Sequence, residues 1–290
     1  MSRIRLWLLA IRPRTLGISV APVITGSSLA WAETSHLAWL PALAALAAAL
    51  LIQIGTNLHN DAVDFERGAD TPQRLGPPRA TAQGWFPATE VKRAAHLSFG
   101  LAFLTGIYLA WIGGLPIVVI GLLSLVAGYA YTSGPKPIAY SAAGEFFVFL
   151  FFGLAAVMGS YYLQRATLSL NVLLAGCAIG SLAAAVLLVN NYRDLDTDEK
   201  AGKLTLAHYL GRNKSRWLYS LLLLPPFALP LLLADLSQGP WLVLAALPFA
   251  LLLSYRFNTT PPGVGFNRIL AHTARLQLVY SLFFSAGLIF

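Results

Sequence analysis

The chain has 290 residues, of which 57% are hydrophobic and 11% charged, with a net charge of +8 and a mean hydropathy of +0.66. That composition excludes a water-soluble domain, and it converts a basic excess that in a polar chain would point to nucleic acid into the mark of basic cytoplasmic loops between membrane spans. A lone Cys177 inside an apolar run excludes a disulfide framework and a thiolate metal site.

The N-terminal stretch carries Arg3, Arg5, Arg12 and Arg14 around a short apolar island. It is too broken for a cleavable signal peptide and predicts a retained, basic, amphipathic lead-in. Apolar runs near the length that crosses a hydrocarbon core follow at 15–32, 38–58, 92–112, 115–132, 144–163, 171–192, 216–234, 240–256 and 272–290. Pro22, Pro116, Pro225, Pro226, Pro230 and Pro248 fall in or beside these runs, where membrane helices tolerate them. The expectation is an all-α polytopic membrane protein of about nine helices, one domain over 1–290. With nine spans, every Lys and Arg except Arg165 sorts to one side, which the positive-inside rule makes the cytoplasm.

Two connections on that side are long, after the second and sixth spans, and function is expected there. The first reads NLHNDAVDFERGADTPQRLGPPR from Asn57 and the second NNYRDLDTDEKAGKLTLA from Asn190. Both place closely spaced Asp after Asn at a helix end, then a Gly and basic residues, which suggests two pseudo-repeated four-helix halves.

On a helix, Asn57, Asp61 and Asp64 stand at i, i+4 and i+7 and share one stripe, with Asn60 beside them. Asn191, Asp194 and Asp198 repeat that pattern at i, i+3 and i+7, while Asp196 points away. A single Asp in such a place is ordinarily a solvated loop carboxylate. Two clusters on one face would repel unless a cation sat between them, and an all-oxygen donor set without His or Cys selects a hard divalent ion such as magnesium. Magnesium characteristically takes one or two carboxylates together with substrate phosphate oxygens, so a diphosphate fits. Arg67, Arg74, Arg79, Lys136, Arg193, Lys200 and Lys203 lie within or beside the clusters, although basic residues there also satisfy the topology rule alone. His59 reads as a helix-end residue, since no second His stands at ligand spacing. Tyr131 and Tyr140 belong to a set of aromatic residues near span ends, of which some line an interface belt and others a cavity. On chemistry alone an ion-coupled transporter is the competing reading, but its ligands belong near the bilayer midplane rather than at span ends.

These clusters resemble the paired aspartate motifs of the UbiA-type intramembrane aromatic prenyltransferases. Four stretches resemble more narrowly the branch that prenylates 1,4-dihydroxy-2-naphthoate in menaquinone synthesis: NDAVDFERGADTPQRLGPPR, the YTSGPKPIAYSAAGEFFVFLFFG run from Tyr131, MGSYYLQ from Met158, and NNYRDLDTDEKAGKLTLA. The likeness implies nine helices around a central cavity, Mg2+ ions, a polyprenyl diphosphate donor and an aromatic acid acceptor. It also implies a bacterial inner membrane location with the active site facing the cytoplasm. Within the motif, Asn60 and Asp64 match the first two family positions; Gly68 stands at the third, and Asp70 is its substitute. Asp194 and Asp198 match the second motif. The resemblance therefore implies metal ligation by Asn60, Asp61, Asp64, Asp70, Asp194 and Asp198, with Asn60, Asp64, Asp194 and Asp198 catalytic. It implies diphosphate binding by Arg67, Arg74, Arg79, Lys136, Lys200 and Lys203, and acceptor binding by Arg193, Lys136 and Tyr131. The family's Tyr-x-x-x-Lys element is altered, because Tyr131 and Lys136 stand one residue too far apart. Another aromatic acceptor, 4-hydroxybenzoate or homogentisate, is the alternative within the same fold.

Overall fold

A computed structural model describes residues 1–70, 74–233 and 240–289. Residues 71–73 of the first motif, and the last residues of the expected spans 216–234 and 272–290, lie outside them. Every regular element among the described residues is helical. The lead-in is helix α1 (Arg3–Ala10), whose Trp7 stacks on Phe86 at 4.1 Å. Arg12 ends it, and Pro13 opens α2 (Pro13–Thr34) at the position where a missing N–H costs nothing.

Helix α3 (Trp39–Glu66) follows, and then α4 (Ala88–Ala130), which is one element in name only. Gly114, at φ 63° and ψ −153°, adopts backbone angles that a side chain would resist, and the chain folds back there. The rings of His96 and Tyr129 stand 6.4 Å apart. In a continuous helix they would be roughly 50 Å apart. The expected runs 92–112 and 115–132 are thus the two limbs of a helical hairpin.

Beyond it come α5 (Gly144–Val148), π-helical turns at Phe149–Ala155, α6 (Ala156–Arg165) and α7 (Leu170–Lys200). The C-terminal part holds α8 (Leu206–Leu223), α9 (Leu229–Leu232), α10 (Leu247–Thr259) and α11 (Phe266–Ile289). Seven described helices are long and apolar enough to cross a membrane, the α4 hairpin counting once. The expected nine are not reproduced by length and hydropathy, because α11 falls outside that set. Its Gln277 and Thr273 are fully buried and its Ser281 bonds Thr25, so its polar groups serve the interior rather than lipid.

Helix α7 is the axis of the bundle: 72% of its most apolar window is buried, against 11% for α4, whose leucines face outward to lipid. The described chain is an integral membrane protein with an apolar belt. Because α3 and α7 are both long, their aspartate-bearing C-terminal turns emerge on the same side as α1, where the long connections close over them.

Candidate active site

The last turns of α3 carry the first cluster, and helical spacing orders it as expected, but the long loop after α3 decides what each residue does. Asp64 accepts from Asn60 Nδ2 (2.8 Å), from Arg79 (3.0 Å) and from the Tyr140 hydroxyl (2.9 Å). Arg79 also donates to Asn60 Oδ1 (2.6 Å) and approaches Asp70 (3.4 Å), which Arg74 meets at 2.8 Å. Asp70 thus joins Asp64 through Arg79, although loop rather than helix places it there. Asp61 does something else. Its two oxygens accept the backbone amides of Ala80 (2.8 Å) and Thr81 (2.9 Å), so it latches the loop that brings Arg79 inward. Both Asp61 oxygens are engaged in this latch, so its first task is to hold the loop.

The second cluster sits on α7. Arg193 grips Asp194 through two nitrogens, at 2.8 and 2.5 Å, and donates further to Asn190 and Asn267, both at 2.8 Å. Asn267 in turn donates to the Leu75 carbonyl at 2.8 Å, which ties α11 to the loop over the site. A Cβ at Gly76 would meet the ends of the Arg193 and Arg74 guanidiniums at 2.8 and 3.0 Å, so both arginines pack directly on that loop. Lys203 pairs with Asp198 at 3.4 Å. Asp196 points outward, as its spacing predicts, and pairs with Arg212 at the surface.

Tyr140 connects the two clusters. Its hydroxyl bonds Asp64, and its ring lies 6.0 Å from the Lys203 ammonium and 5.2 Å from the Arg67 guanidinium. Burial and the neighbouring Asp64 charge push its hydroxyl pKa up, so it remains a donor. Burial opposes the Arg79 charge, yet Asp64, Asp70 and Asp61 together hold that residue above the ordinary arginine value. Arg12 is pushed down to about 9 by burial and then by Arg79. Arg12, Arg74, Arg79, Arg193 and Lys203 thus share the centre with Asp61, Asp64, Asp70, Asp194 and Asp198.

Below the clusters opens a cavity of about 760 Å³. Arg12, Asn60, Arg74, Arg79, Arg193 and Lys203 line its polar end, and Tyr131 stands among them. Phe147, Phe151 and Phe152, presented by α5 and the π-helical turns, line its apolar wall. The structure does not bring every expected residue here: Lys136 and Lys200 are exposed and do not line the cavity, Arg67 reaches the Gly134 carbonyl instead, and of the expected metal ligands Asn60 alone lines it, with Asp64, Asp70, Asp194 and Asp198 set behind the cations they pair with and Asp61 behind the loop.

A divalent cation fits this chemistry. The donors are all oxygen, and Asp70 Oδ2 and Asp198 Oδ2 are buried without a hydrogen-bond partner. Among the described residues no three carboxylates form a ready-made cage. A cation here must complete its shell with substrate oxygens, which is how magnesium binds diphosphates.

The model of the UbiA prenyltransferase family matches residues 19–262. This chain belongs to that family. It is 36% identical to the 1,4-dihydroxy-2-naphthoate octaprenyltransferase of Escherichia coli (strain K12), over 99% of this chain and 96% of the relative. It is also 36% identical to the enzyme of that name from Mycobacterium tuberculosis (strain ATCC 25618 / H37Rv), over 98% and 97%. The fold is similar to that of a UbiA homolog from Archaeoglobus fulgidus bound to GPP and Mg2+, with a TM-score of 0.71 and 15% identity over 98% of this chain and 100% of that one.

Three residues of this UbiA-family site were not singled out from the sequence. Arg12 reaches the cavity from the junction of α1 and α2, where its charge reads as one more topology signal. Glu145 is buried and accepts from Asn191 at 2.9 Å; nothing in its own neighbourhood of sequence marks it. Tyr140 was expected only as one of many aromatics at span ends, and its role depends on Asp64, which lies far away in the chain.

Proposed function

We propose that this protein transfers a polyprenyl chain from polyprenyl diphosphate to 1,4-dihydroxy-2-naphthoate with loss of carbon dioxide, giving a demethylmenaquinol. The observation that carries the reaction class is the division of the cavity: Arg74, Arg79, Arg193 and Lys203 line one end with the aspartates paired to them just behind, and an apolar chamber lies beyond. Asp64, Asp70, Asp194 and Asp198, with Asn60, supply oxygen donors for magnesium. Bound there, magnesium would neutralise charge on the diphosphate as it leaves. Arg74 and Lys203 stand at the polar end to hold the same oxygens, and their attraction strengthens as the allylic C–O bond breaks and its electron pair departs with the diphosphate. The apolar wall excludes water from the allylic cation, and the aromatic rings of Tyr131 and Phe151 that line the cavity offer it electron density. The electron-rich ring carbon that bears the carboxylate forms the new C–C bond. The bond to the carboxyl carbon then returns its electrons to the ring, and carbon dioxide leaves.

The near full-length similarity to naphthoate prenyltransferases supports the choice of acceptor. Purified protein with magnesium, a polyprenyl diphosphate and a panel of aromatic acids is expected to prenylate the naphthoate with one carbon dioxide released per product, and 4-hydroxybenzoate poorly. Retention of labelled carboxyl carbon in the product, or preference for 4-hydroxybenzoate, would contradict the acceptor assignment. Excess chelator is expected to abolish turnover.

The basic side of the membrane, and with it the site, is assigned to the cytoplasm of a bacterial inner membrane. In a Cys177→Ser background, Leu75→Cys is expected to label from the cytoplasmic side alone. Labelling only from outside would reverse the orientation.

A further inference from the structure

The face of α2 that enters the cavity carries polar groups that the diphosphate chemistry above does not use. Arg12, Thr15 and Ser19 stand at i, i+3 and i+7, so they form one stripe, and all three line the cavity. The other cations of the site each have a carboxylate: Arg74 has Asp70, Arg79 has Asp64, Arg193 has Asp194 and Lys203 has Asp198. Among the described residues Arg12 has none within ion-pairing distance. Its side chain meets Asn60 Oδ1 at 3.5 Å, an oxygen that Arg79 already engages at 2.6 Å. Its backbone is left-handed, at φ 57° and ψ 66°, a conformation that a residue with a side chain adopts at a cost and that recurs at ligand-binding positions.

Ser19 supplies a second, independent sign. It is 2% exposed, it lines the cavity, and its hydroxyl has no hydrogen-bond partner. A buried hydroxyl is ordinarily satisfied, so this one awaits a polar group inside the cavity. Across from it, Gln53 and Asn57 of α3 line the same region.

We propose that this α2 face is the acceptor subsite, with Arg12 binding the carboxylate of the aromatic acid and Ser19 hydrogen-bonding a ring hydroxyl. Ser19 lies about 10 Å further along the helix than Arg12. A prenyl tail has nothing to offer a hydroxyl. A flat hydroxylated acid carries both complementary groups. The cations first expected in this role are less suited: Arg193 is engaged by Asp194, Asn190 and Asn267, and Lys136 lies outside the cavity. The assignment rests on the reaction proposed above and adds the residues that choose the acceptor.

The test uses the full-length, magnesium-loaded enzyme. Arg12→Gln is expected to raise the naphthoate KM by about 10- to 100-fold, the loss of one charge-assisted contact, with the polyprenyl diphosphate KM nearly unchanged. Inhibition by 1,4-dihydroxynaphthalene, which lacks the carboxylate, should be alike in wild type and Arg12→Gln. Ser19→Ala should raise the naphthoate KM several-fold without lowering thermal stability, an outcome that a purely structural serine would not give. If Arg12→Gln is not recovered folded, Arg12→Lys keeps the charge and should show a smaller rise in the same KM. A rise in the diphosphate KM instead, or equal weakening of the carboxylate-free inhibitor, overturns the assignment. A wild-type enzyme that ignores naphthoate overturns the reaction itself; one that uses it while Arg12→Gln keeps its acceptor KM overturns only this inference.

Discussion

The first aspartate cluster is assembled from a helix end and a long loop, whereas the second belongs almost entirely to one helix and the short turn after it. In the second, helical spacing alone sets the roles: Asp194 and Asp198 face inward and Asp196 turns out to Arg212. In the first, Asp61 and Asp64 share a stripe yet act differently, because the loop presents two amides to one and a guanidinium to the other. Periodicity tells which carboxylates share a face. It does not tell which of them a distant loop will occupy.

The sharpest test of this contrast compares like positions. Asp194→Ala and Asp64→Ala are each expected to lower kcat by about 100- to 1,000-fold, as loss of a group that stabilises developing charge does. Near-wild-type turnover in either would separate the two clusters in function and break the comparison. Asp61→Ala should act differently, by leaving two buried amides without an acceptor, at about 2–6 kcal/mol in all. Its expected signature is lower thermal stability and faster proteolysis between residues 74 and 83, with Asp61→Asn restoring part of both. A stable Asp61→Ala protein that needs much more magnesium for turnover would instead make Asp61 a ligand. Asn267→Ala, which removes the tie between α11, Arg193 and the Leu75 carbonyl, should raise the diphosphate KM by about tenfold, the cost of roughly one charged hydrogen bond. The smallest effect belongs to Asp196→Ala. Its exposed pair with Arg212 should leave kcat and KM within about twofold of wild type.

Much of this was readable from the chain. Composition excluded solubility, and the α4 hairpin was visible as two apolar runs with Gly114 between them. Asp64, Asp194 and Asp198 were found from helix spacing together with the family likeness. What escaped depended on contacts between segments far apart in sequence. The latch at Asp61 needs Ala80 and Thr81, and the bridge at Tyr140 needs both Asp64 and Lys203. Arg12 is marked by the lack of a carboxylate partner, a property with no local signature. The ninth run, 272–290, was read from the chain, although the polar residues of α11 dilute its hydropathy because they are spent inside the bundle.

The wall built by the Gly114 hairpin is only one helix thick. Phe103, Ile107, Val118 and Leu122 of its two limbs line the cavity, and each is at least 36% exposed. A single layer of apolar side chains is all that stands between the chamber and the bilayer. An apolar tail in the chamber therefore has the bilayer as its next neighbour. The concentration that governs saturation is then the mole fraction of polyprenyl diphosphate in the bilayer, not its amount in water.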